Sequence, residues 1–124
     1  MSMKLTIGKA HSLLVGLNAV DRDDKTRLNG DTRLAFAINI NRLQPIVAAY
    51  EKARNAVLAE TVGDGPLTAV KEAQFSAADS DLRDKEEEFD LKRISKADLR
   101  LEDNPRITGG LIAMLAPMLI DLDG

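Results

Sequence analysis

From residue 7 onward the apolar positions recur in steps of three and four. Ile7, Ala10, Leu13, Leu14, Leu17 and Val20 fall on one face of a helix of about fourteen residues, with Thr6 placed to cap it. A longer pattern runs from about Thr32 to Thr61, where Phe36, Ile40, Leu43, Val47, Tyr50 and Val57 keep a four-three step broken only at Arg54. At ~1.5 Å per residue this second helix is a rod of roughly 45 Å. Pro45 removes one backbone hydrogen bond inside it and crowds the Asn41 carbonyl, but the apolar step resumes in register. The sequence therefore predicts a kink and not an end.

The segment VGDGP at 62–66 breaks the pattern, with Pro66 suited to open a third helix that runs to about Lys85. Its predicted inward positions are Leu67, Val70, Ala73, Ala77 and Leu82. Past Glu88 the residues FDLKRI alternate weakly and predict a short strand or β pair near 88–95, which needs a hairpin or a neighbour because no partner strand is evident. Ser95 to Asp98 reads as a capping box opening one turn. After the break at Asn104-Pro105-Arg106, Thr108 caps a last helix over 109–122. That helix is apolar on nearly every side, is predicted to be buried, and is bent or ended by Pro117.

These elements predict an all-α or mostly α fold: a helical hairpin with a long kinked central helix, a possible short β pair, and an apolar C-terminal helix. Composition agrees. The 124 residues suffice for one domain, 1–124, and the aromatic share of 3% leaves the core to Leu, Ile, Val and Ala, which helices pack readily. Without cysteine there is no disulfide, thiolate nucleophile or Cys-ligated metal. A cleaved N-terminal signal is not expected, because the apolar run LLVGL is short and no small-x-small site precedes Asp21. The dozen apolar residues near the C-terminus fall short of the ~20 that span a bilayer. A cytoplasmic protein without membrane contact is the expectation.

Charge is uneven along the chain. Residues 1–62 hold 9 basic and 6 acidic side chains, and residues 63–124 hold 8 and 14. A dense basic face with stacking aromatics is missing, so nucleic-acid binding is not expected. The cluster of Asp21, Asp23, Asp24 and Asp31 raises the question of a calcium loop. Counted from Asp21, however, the loop pattern meets Lys25, Thr26 and Thr32 where it requires an oxygen ligand, a glycine and an acid. The cluster reads as a solvated connector, with Asp31 at the next helix start. The glycines of VGDGP lack the preceding strand of a phosphate loop. His11 is the single histidine and has Ser12 beside it but no third member of a triad. No enzyme, cofactor or metal is expected.

What remains is surface. The acidic run Asp79, Asp81, Asp84, Glu86, Glu87, Glu88 and Asp90 is the expected partner-binding segment. The stripe Phe36, Ile40, Leu43, Val47 and Tyr50 is longer than the first helix can cover, and so is expected to form the seam of a homodimer. Two function classes follow: a helical protein-interaction module, or an acidic mimic of a nucleic-acid backbone that inhibits a DNA- or RNA-handling enzyme.

Several stretches carry a family likeness: Leu17 to Ala19, the Ala-x-Asn-x-x-Arg-Leu of Ala37 to Leu43, the Tyr-Glu-x-Ala-Arg of Tyr50 to Arg54, and Thr108 to Leu111 before Leu115 and Pro117. With them the chain resembles a family of small uncharacterised helical proteins of tailed phages and prophages. It departs from that pattern at Gly109 and Gly110. The resemblance implies a phage-encoded accessory protein in the host cytoplasm, acting in virion or tail assembly or against host defence, and it implies no catalytic residues.

Overall fold

The computed structural model describes residues 2–120. In chain order it holds β1 (Met3–Thr6), α1 (Ile7–Arg22), α2 (Gly30–Val62), α3 (Ala69–Arg83), β2 (Glu86–Phe89) and α4 (Gly109–Leu115), with 3-10 turns at Lys96–Leu99 and Ala116–Met118. The fold is mostly helical, with one small antiparallel sheet of two strands. No helix among the described residues is long and apolar enough to cross a membrane.

The predicted cap of α1 is present: Lys9 N–H donates to Thr6 Oγ1 at 3.1 Å. Its buried face is Ile7, Ala10, Leu13, Leu14, Gly16, Leu17 and Val20. α2 has 33 residues, or ~50 Å. It stays helical through Pro45, and the residue whose carbonyl loses its partner, Asn41, is exposed to water. α1 runs back along the first half of α2, so that His11 meets Tyr50 and Glu51.

Beyond Tyr50 the partner of α2 changes to α3, which also lies antiparallel to it. Arg54 meets Asp79 and Phe75, and Lys71 Nζ donates to the Val62 carbonyl at 3.1 Å. α3 has no buried residue. Its first helical residue is Ala69 under a Thr68 cap, not Pro66. Its inward face also differs from the prediction: Leu67 and Val70 are 61% and 67% exposed, while Lys71, Phe75, Ala78, Asp79 and Leu82 turn toward α2. α3 and the far half of α2 thus form an arm that leaves the core.

The core receives the rest of the chain. Asn39 is fully buried on α2; its Nδ2 donates to the Lys92 carbonyl at 2.9 Å and its Oδ1 accepts the Lys92 N–H at 2.8 Å, as a neighbouring strand would. A second buried asparagine, Asn104, accepts the Arg27 N–H at 2.7 Å and donates to the carbonyls of Arg27, Leu99 and Arg100. It ties the aspartate-rich connector to the C-terminal segment. Arg106 reaches Asp23 from the same segment at 3.3 Å. The Lys25 N–H, and after it Arg106, hold the Asp23 carboxyl below the usual carboxylate range.

The expected short β pair is present, with its neighbour from far off in the chain: β2, at 86–89, pairs with β1, from Met3↔Phe89 to Thr6↔Glu86. One further expectation is corrected. The last helix is short and only partly buried. Thr108 does cap it at Gly109, and it gives way to a 3-10 turn at Pro117, but Leu115 is its single buried residue and Ala113 is exposed. Residues 121 and 122 of the predicted helix lie outside the described residues. Gly16 lets α4 sit close on α1, since a Cβ there would stand 2.9 Å from Met114 Cβ.

Candidate functional site

The acidic run divides in the structure. Asp79 belongs to the inward face of α3 and accepts the Tyr50 hydroxyl at 2.6 Å, with Arg54 Nε 3.7 Å away. Asp81 is exposed on α3, and Asp84 is the residue that ends it. Asp90 lies 3.1 Å from Arg42 of α2. Between them Glu86, Glu87 and Glu88 stand together, all exposed, on β2.

A strand suits these three glutamates for a simple reason. Successive side chains alternate faces, which separates Glu86 and Glu88 by about 7 Å along the strand and sends Glu87 to the other side. In a helix the same carboxylates would crowd one turn. Phe89 anchors the end of β2 in the core beside Leu5, and Lys4 stands directly across from Glu88, an opposite-charge cross-strand pair. Apart from Lys4 the strand presents negative charge alone.

The expected dimer seam is closed. Phe36 and Leu43 are fully buried, Val47 is 3% and Tyr50 6% exposed, and Ile40 packs half-buried against the same core. α1 covers α2 as far as Tyr50, and the segment after β2 and the C-terminal turn meet its other side at Asn39 and Arg42. These residues form the protein's own core and offer no surface to a second copy.

Sequence reasoning missed a polar cleft of about 450 Å³ where α1, α2 and α3 meet, lined by His11, Tyr50, Glu51, Arg54, Asp79 and Arg83 among others. The His11 and Tyr50 rings lie 5.8 Å apart at 56°. His11 Nε2 is 3.8 Å from Glu51, and the Arg54 guanidinium covers the Phe75 ring at 4.9 Å. Burial, and then the bond to Asp79, push the Tyr50 phenol above its ordinary 10.0, with Arg83 opposing. The charges here answer one another, and the cluster fastens the arm to the core. The signal that could have revealed it is Asp79 lying four residues after Phe75 and three before Leu82, on one helix face.

A stability test follows from Tyr50. Its raised folded-state pKa means that the contribution is complete below pH 10.0 and is lost as pH rises through the folded value. Tyr50→Phe is expected to cost about 1–2 kcal/mol in urea unfolding at neutral pH, with the gap to the parent narrowing above pH 10.0. A gap unchanged by alkali would remove the Tyr50–Asp79 bond as its cause.

A larger groove of about 710 Å³ opens between the start of α1 and α4, with Leu5, Met114 and Pro117 on its apolar side and Lys9, Ser12, Arg83 and Asp84 on its polar side. Among the described residues no group of three His, Cys, Asp or Glu side chains is arranged to hold a metal ion. Compared with protein-family models, curated proteins and solved structures, the chain matches none.

Proposed function

We propose that this chain is a non-enzymatic protein-interaction module that meets its partner through the acidic strand β2. The observation that carries the reading is that Glu86, Glu87 and Glu88 are all exposed on a strand whose paired neighbour among the described residues, β1, supplies the single cation Lys4. Charge of one sign on a fixed strand steers a basic partner and sets its register. The polar cleft supports the non-enzymatic part, because its carboxylate Asp79 is already held by Tyr50 and Arg54. The family likeness extends the proposal to a phage- or prophage-encoded accessory factor in the host cytoplasm, and neighbouring genes for tail assembly or for counter-defence would distinguish its two settings. Self-association stays within the proposal but moves to the exposed apolar side chains of the arm, Leu58, Leu67 and Val70.

Replacing all three glutamates by lysine is expected to abolish partner retention on the immobilised protein while leaving its circular dichroism unchanged, since the three side chains are exposed. Partners kept at equal yield by the folded triple variant would end the reading. A partner competed off by nucleic acid would favour the mimic class, although Asp79 and Asp90 are already paired with the chain's own arginines.

A further inference from the structure

We infer that the outer edge of β2 accepts an extended, basic segment of a partner protein as a third strand of the sheet. This rests on the acidic-surface reading above and specifies how that surface is used. The Ile7 N–H donates to the Lys85 carbonyl at 2.8 Å, one step beyond the last strand pair Thr6↔Glu86. In an antiparallel ladder, pairs that exchange hydrogen bonds alternate with pairs that do not. Ile7 and Lys85 therefore fix the phase: Leu5 with Glu87 and Met3 with Phe89 are bonded pairs, whereas Thr6 with Glu86 and Lys4 with Glu88 are not. The main-chain N–H and C=O of Glu86 and Glu88 consequently point away from β1. Among the described residues no group hydrogen-bonds to them, and the exposure of all three glutamates leaves that side of the strand uncovered.

An unpaired edge is a template for another strand, and its side chains select which. An added segment would satisfy both residues' main-chain groups and lay its own side chains beside the carboxylates of Glu86 and Glu88 on one face. Lysine or arginine at alternate positions matches that row. A second copy of β2 is excluded as occupant, because symmetric pairing would set glutamate beside glutamate. β1 offers a poorer edge, as Thr6 is committed to capping α1. Nucleic acid carries neither the opposite charge nor the peptide donors and acceptors that the edge requires.

The test uses the full chain, labelled with 15N, and three short peptides: one alternating lysine with valine, the same peptide N-methylated on the amides that would face β2, and one with glutamate for lysine. The lysine peptide is expected to shift the amides of Glu86 and Glu88 and slow their hydrogen exchange. The methylated peptide, equal in charge, should bind about tenfold more weakly because it has lost its main-chain donors, and the glutamate peptide should not bind. A folded Glu86→Lys, Glu88→Lys double variant should reverse the preference toward the glutamate peptide. Equal binding of the methylated peptide, or shifts without protection at Glu86 and Glu88, would overturn strand addition while leaving the acidic surface in place. No binding of either lysine peptide, or a double variant that still prefers lysine, would overturn it as well. Failure of the acidic-surface reading shows separately, as partner retention by the triple variant.

Discussion

Val47→Glu is expected to leave the chain largely unfolded at 25 °C, with its helical circular dichroism lost and no folded monomer in gel filtration. Val47 is 3% exposed and belongs to the cluster that includes Phe36, Leu43 and Leu115. The substitution forfeits about 1.5–3 kcal/mol of burial and adds several more for a carboxylate with no partner. A domain of this size is stable by only about 5–15 kcal/mol in all. The outcome also decides the seam. If Val47 lay on an open surface of α2, the variant would be a well-folded monomer with the parent's melting temperature, and that result would return the stripe to the surface.

Asn39→Leu is the second large effect. The swap keeps the number and branching of the side-chain heavy atoms and the apolar surroundings but leaves the Lys92 N–H and C=O without the partners they have at 2.8 and 2.9 Å. Each stranded group costs about 1–3 kcal/mol, so about 2–6 kcal/mol is expected for the pair, a fall in melting temperature of roughly ten degrees or more. Asn39→Asp keeps the acceptor for Lys92 N–H and loses the donor, and should rise toward the parent as pH falls and the buried carboxyl takes a proton. A thermal melt of Asn39→Leu within a degree or two of the parent would show that water replaces the asparagine and that the segment after β2 is held by its apolar anchors alone.

The hairpin was legible because α1 and α2 bury continuous stripes: every predicted inward residue of α1 is buried, and Thr6 caps it as its hydroxyl suggests. β1 was not legible. Its four residues lie against a helix cap, and their partner is some eighty positions away, so no local period could announce the pair. The face of α3 was misread because the search was for apolar side chains. The residues that turn inward there include Lys71 and Asp79, whose polar tips find partners on α2. Asn39 stood in view, three residues after Phe36 and four before Leu43 on the apolar stripe. An amide in such a place signals a backbone that it must serve. The glutamates of β2 were recognised as a surface but not as a strand, because their conformation is set by Phe89 and by the far end of the chain.

From Glu51 to Arg83 no side chain is fully buried, and this frees one dimension of the molecule. Whole turns inserted at matched points of α2 and α3 would carry the tip outward by about 5.4 Å each, and the core, the asparagine ties and the sheet would not register the change. Lengthening the closed loop costs little entropy, since that term grows only logarithmically. Natural variation in the gene should therefore collect here as differences in reach, making the arm a ruler whose length selection can reset independently of the body that holds it.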